Sequence, residues 1–110
     1  MRGPYSLEFI EDYVEPNTIG VYMLGGWGYS KLYVGRSDTN LLSRIKTSAV
    51  EGWPSQRYLF FWYEYATSAM RAYKLECELW HKYQPPDNVN HPAQPWGMNW
   101  KCPVQGCLYC

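Results

Sequence analysis

At about 100° per residue along a helix, Ala72, Leu79 and Tyr83 share a narrow apolar stripe flanked by Leu75 and Trp80, and Glu76 falls inside it. An ionised carboxylate against a core costs several kcal/mol unless a cation, a metal or a strong donor compensates it. Glu78 points to the opposite side, where water solvates it. Glu76 therefore calls for a counterpart, and Arg44 or a divalent cation can supply one. Its bland reading is a buried Glu76–Arg44 ion pair with no chemistry.

A second chemical group is a pair of tyrosines. Thr18 to Leu24 reads as a strand, Gly25-Gly26-Trp27-Gly28 as a turn, and Lys31 to Arg36 as a second strand. If Leu24 and Lys31 close the loop, Tyr22 faces Tyr33 and Gly20 faces Gly35 on the same side of the hairpin. Glycines there leave room for a ligand or a backbone to approach. The Gly-rich turn lacks the lysine and following helix of a phosphate-binding loop and carries no chemistry.

The third group is Cys102, Cys107 and Cys110: three thiolates, one short of a closed tetrahedral zinc site, with Cys77, His81 or His91 available as the fourth ligand. The spacing is not that of a standard knuckle pair, and a tail of unligated thiols is the alternative. His81 falls outside the apolar stripe and reads as solvated. His91, before Pro92 in the loop near Asn88, is the better site-adjacent histidine.

The elements that must position these groups follow from periodicity and punctuation. Ser37-Asp38-Thr39-Asn40 offers N-caps for a helix from about residue 40 to 50, with Leu41, Leu42, Ile45 and Ala49 at helical spacing before Gly52 and Pro54 break it. Arg57 to Ala66 reads as a buried third strand. Thr67 or Ser68 caps a second helix to about Tyr83, stopped by Gln84-Pro85-Pro86. Residues 1–16 fit either a strand or a short helix. The order β-β-α-β-α predicts an α+β fold, a small three-stranded antiparallel or mixed sheet flanked by helices. The 110 residues make one domain, with 92–110 a tail containing proline and cysteine.

Ten basic and ten acidic residues cancel, so the chain lacks the strongly cationic surface that non-specific nucleic-acid binding favours; a local basic patch must serve instead. Six Trp and eleven Tyr predict a ring-rich core. No apolar run approaches the ~20 residues that span a bilayer, and the N-terminus lacks a secretory segment. A soluble, cytoplasmic protein with reduced thiols is the expectation.

Gly20-Val21-Tyr22 and Tyr33-Val34-Gly35 resemble the namesake tripeptides of the GIY-YIG nuclease family, each departing at one conservative position. The run from Gly35-Arg36-Ser37-Asp38-Thr39 to Arg44 is similar to the family's loop and helix bearing its essential arginine. Ala72-Tyr73-Lys74-Leu75-Glu76 looks like its metal-binding glutamate segment, and Asn88, beyond Pro85-Pro86, matches its terminal asparagine, with Asn90 as a substitute should the loop register differ. These matches span residues 20 to 88.

The resemblance implies a metal-dependent endonuclease that hydrolyses DNA. Glu76 would hold one Mg²⁺ or Mn²⁺, Arg44 would grip phosphate, Tyr22 would act as general base with Tyr33 hydrogen-bonding nearby, and Asn88 would position backbone or water. Gly35, Arg36 and His91 would line the substrate side. No second carboxylate is evident for a two-metal site. The chain departs from the family at Ser48, where many members carry a proton acceptor one turn after the arginine. The alternative is a non-catalytic module on the same fold, with or without structural zinc, that binds nucleic acid or protein.

Overall fold

The computed structural model describes residues 1–51, 58–88 and 90–107. Its segments richest in β-branched and aromatic side chains form an antiparallel sheet: β2 (Gly20–Gly25), β3 (Lys31–Ser37) and β4 (Phe60–Tyr65). A fourth strand, β1 (Arg2–Ser6), joins them in the spatial order β1-β4-β2-β3. The sheet thus has four strands rather than three, and every pairing is antiparallel. β1 is mostly exposed and carries little apolar periodicity, so its strand character comes from pairing with β4, where Tyr5 meets Phe61. The N-terminal segment is strand and helix in turn: after β1 come a 3₁₀ turn (Leu7–Phe9) and α1 (Ile10–Tyr13).

α2 (Leu41–Glu51) and α3 (Ala69–Tyr83) lie where helical spacing places them. Asn40 caps α2 by accepting from the Ser43 N–H at 3.2 Å, and Ser68 caps α3 by accepting from the Arg71 N–H at 3.1 Å. α3 stops at Gln84, in the left-handed conformation with φ 43°, because Pro85 cannot continue it. The expected breakers Gly52 and Pro54, and Arg57 at the expected start of the third strand, lie outside the described residues.

The sheet is covered on both faces. Ile10 of α1 and Leu41 and Ile45 of α2 pack with Tyr22, Leu24, Phe61 and Tyr63 on one face. Leu79, Trp80 and Tyr83 of α3 pack on Met23, Val34 and Trp62 on the other. The alternation of side chains along β2 and β4 feeds the two layers. α3 is also covered away from the sheet, where Tyr73 and Cys77 meet Trp100, Cys102 and Val104. No described helix is long and apolar enough to cross a membrane.

The hairpin register differs from the expectation. Tyr22 pairs with Gly35, Leu24 with Tyr33 and Gly20 with Ser37, because β2 extends to Gly25 and an irregularity between Leu24 and Gly25 adds a residue to β3. The slip is two residues, and since side chains alternate with period two the faces are preserved. Tyr22 and Tyr33 remain on one side as diagonal neighbours, with ring centroids 6.1 Å apart.

Candidate active site

β3 is an edge strand, and a cavity of about 270 Å³ opens beside it, lined by Tyr33, Gly35, Arg36, Asp38, Arg44 and Glu76. An edge lets side chains from both faces meet: Tyr33 belongs to the side covered by α2, while Glu76 comes from α3 on the other. Gly35 stands between them. A Cβ there would lie 2.5 Å from the Tyr22 ring and hydroxyl, so only glycine permits that close approach.

Glu76 is 8% exposed on the buried side of α3. Its counterpart is Arg36 rather than Arg44: Arg36 Nη1 donates to Oε1 at 2.6 Å, and Arg36 Nε donates to Asp38 Oδ1 at 3.1 Å. The other carboxylate oxygen of Glu76 accepts no hydrogen bond among the described residues. Burial pushes the Glu76 carboxyl up to about 7, against the lowering effect of Arg36. Arg44, exposed on α2, has no carboxylate within ion-pair distance among the described residues, which leaves its guanidinium fork available to an anion.

The two tyrosines occupy different depths. Tyr33 is partly exposed and lines the cavity. Tyr22 is fully buried behind it, and its hydroxyl shares a 2.5 Å hydrogen bond with Ser48. Burial, then the neighbouring Tyr33, raises the Tyr22 phenol above its ordinary range, against lowering by Ser48 and Arg44. Ser48 therefore occupies the position one turn after Arg44 with its own role, as the partner of Tyr22.

Asn88 does not reach the cavity. Its side-chain amide clasps the outer edge of β3, accepting from the Val34 N–H at 2.7 Å and donating to the Val34 carbonyl at 2.9 Å. The same loop ties on through the Asp87 N–H and the Leu32 carbonyl at 2.9 Å. Asn88 thus holds the strand that carries Tyr33 and Gly35. His91 is also away from the cavity, beside Trp80 and His81 against α3. Cys110 lies outside the described residues.

The roles of two residues, Asp38 and Ser48, were not legible in the sequence. Asp38 supplies a second carboxylate to the cavity; its position before a helix made it look like a cap. Ser48 looked like a loss, since nothing local ties it to a tyrosine on a strand 26 residues earlier.

The fold recurs in solved structures. The N-terminal GIY-YIG endonuclease domain of UvrC from Thermotoga maritima, as a point mutant bound to its catalytic divalent cation, superposes with TM-score 0.61 at 20% identity over 76% of this chain and 93% of that one. The same domain bound to magnesium gives 0.59 at 23% identity over 74% and 98%. The fold is that of a GIY-YIG endonuclease domain. No family model matches the sequence, and no curated protein does. On the GIY-YIG fold, Gly20-Val21-Tyr22 and Tyr33-Val34-Gly35 occupy the central strand β2 and the edge strand β3.

Proposed function

We propose that the protein is a metal-dependent endonuclease that hydrolyses DNA phosphodiester bonds. One observation carries this reading: Tyr33, Arg44 and Glu76, drawn from three elements and both faces of the sheet, converge on a single cavity at Gly35. The UvrC domains of the same fold are endonuclease domains that hold a catalytic divalent cation.

The donor set fits a hard cation. Glu76 presents an oxygen without a hydrogen-bond donor among the described residues, its carboxyl is pushed up to about 7 by burial that a positive charge would relieve, and Asp38 adds a carboxylate to the same cavity. Glu76, with Asp38 beside it, would hold the ion. A bound Mg²⁺ or Mn²⁺ supplies charge stabilisation to a phosphate oxygen and to the departing 3′ oxygen.

The chain's own residues do the rest. Arg44 takes a non-bridging phosphate oxygen with its exposed fork and steadies developing charge. Arg36 holds Glu76 and Asp38 in place. Acting as its phenolate, its own proton lost to solvent beforehand, Tyr33 takes the proton of the attacking water and becomes the neutral phenol, because Tyr33 reaches the cavity, whereas Tyr22 is sealed behind it with its hydroxyl committed to Ser48. Tyr22 and Ser48 then brace Tyr33, and Asn88 fixes its strand.

A second reading has its own support. The Arg36–Glu76 pair compensates the buried carboxylate without a metal ion, as a non-catalytic nucleic-acid or protein-binding module would need. Incubating supercoiled and branched DNA with the protein and Mg²⁺ or Mn²⁺, beside Glu76→Ala and a chelator control, separates the two. Nicking that needs metal and disappears in the variant is expected. Folded protein that binds DNA and leaves it intact would favour the binding module.

A further inference from the structure

On the far side of α3 from the sheet, one ring nitrogen each from His81 and His91 and the sulfurs of Cys102 and Cys107 all lie within 4.8 Å of one another. We propose that these four side chains form a structural Zn²⁺ site, separate from Glu76, that ties the C-terminal segment to α3. Two imidazoles and two thiolates are a tetrahedral zinc donor set, too soft for magnesium. With metal–ligand bonds of about 2.0 to 2.3 Å, the edges of such a tetrahedron run roughly 3.3 to 3.8 Å. Cys107 Sγ stands 3.5 Å from His91 Nε2.

The imidazoles are prepared for this role. His91 Nδ1 lies 2.9 Å from the Pro92 carbonyl, and since a carbonyl only accepts, Nδ1 carries the proton and Nε2 keeps its lone pair toward Cys107. That backbone hydrogen bond is the second contact that orients a metal-bound imidazole. His81 Nε2 is buried with no hydrogen-bond partner among the described residues, which costs free energy in a protein and is relieved when a metal takes the lone pair. The rings of His81 and His91 stand edge to face, with centroids 5.4 Å apart.

The cysteines are brought together by a turn. In Cys102-Pro103-Val104-Gln105-Gly106-Cys107, Gly106 sits at φ 83° and the Cys107 N–H donates to the Val104 carbonyl at 3.3 Å, turning the second thiol back toward the first. Cys77, one turn before His81, is fully buried in the cluster that also holds Cys102, but it is not among the four. The set keeps Cys102 and Cys107 of the expected tail triad and joins them to His81 and His91, while Cys110 lies outside the described residues.

The site also answers a structural need. Residues 85–107 contain no helix or strand among the described residues, yet they cover Tyr73 and Cys77 of the helix that carries Glu76. A metal cross-link stabilises such a segment without regular hydrogen bonding.

Metal analysis of the full chain, purified without chelator, should find one zinc per chain, retained in Glu76→Ala, Cys77→Ser and Cys110→Ser. His81→Ala, His91→Ala, Cys102→Ser and Cys107→Ser should each weaken zinc binding by at least about a hundred-fold. Because any of these variants could misfold, cobalt is exchanged into the unaltered protein as well. The visible bands of tetrahedral cobalt, with a charge-transfer band of two-thiolate intensity, are expected. Folded protein without zinc, a cobalt spectrum of three thiolates, or zinc lost in Cys77→Ser or Cys110→Ser but kept in the histidine variants would overturn the proposal.

Discussion

At the scale of the residue, Glu76 carries the most testable energetics. Its folded-state value of about 7 stands above the ordinary 4.5, so the folded protein holds that proton more tightly than the unfolded chain. Stability from this group is therefore fully present below about pH 4.5 and is lost as pH rises toward 7. The loss is on the order of 3 kcal/mol. Urea titrations in the presence of chelator should show the wild type losing stability across that window and Glu76→Gln running flat. Parallel curves would mean that Arg36 keeps the carboxylate ionised throughout. The tyrosines divide similarly: Tyr33→Phe should lower the cleavage rate by at least about a hundred-fold. Tyr22→Phe should cost about 1 kcal/mol of stability by stranding Ser48, with the smaller effect on cleavage. Single-turnover kinetics beside thermal melts separates the two. Glu76 was readable in the sequence because a charged residue breaks an apolar helical stripe. Its choice of Arg36 over Arg44 was not, since both arginines follow Tyr33 closely and only the path around the strand edge decides which guanidinium reaches α3.

At the scale of the element, the site depends on β3 being an edge that is held rather than paired. Asn88 occupies both outward hydrogen-bonding groups of Val34, as a neighbouring strand would. Asn88→Ala should therefore cost about 1 to 2 kcal/mol and speed exchange of the Val34 amide, with cleavage falling because Tyr33 loses its support. Hydrogen exchange followed by NMR reads this directly; an unchanged Val34 amide would deny Asn88 the bracing role. Gly35→Ala tests the opposite side of the same strand. The new Cβ would meet the Tyr22 ring at 2.5 Å, and overpacking of this kind costs about 1 to 3 kcal/mol. A crystal structure or a melting curve of the variant would register the displaced ring. Both long helices could be read in advance because Asn40, Ser68 and Pro85 punctuate them locally. β1 could not, since Arg2–Ser6 is strand only by virtue of lying against β4, and the hairpin register hung on an irregularity at Leu24 that no propensity marks.

At the scale of the whole molecule, the balance of ten basic and ten acidic residues sets how the protein must meet DNA. Without a long-range positive field, affinity rests on the few cations gathered near the cavity, and Arg36 is already engaged with Glu76 and Asp38. Arg44 remains, together with whatever lysines lie along the path of the strand. The exposed rings of Trp27 and Trp96, 88% and 99% accessible, offer stacking surfaces that depend little on salt. DNA binding should therefore weaken only gently with ionic strength, with a slope of log K against log salt on the order of −2 to −3, about 0.9 for each of two or three phosphates contacted. Fluorescence anisotropy across a salt series, with calcium in place of magnesium to prevent cleavage, measures this slope. Arg44→Ala should reduce its magnitude by about 0.9, the share of one phosphate contact. A steep slope that survives this substitution would place the DNA on a basic surface away from the β3 edge, and the cavity at Gly35 would then be too remote from the bound backbone to cut it.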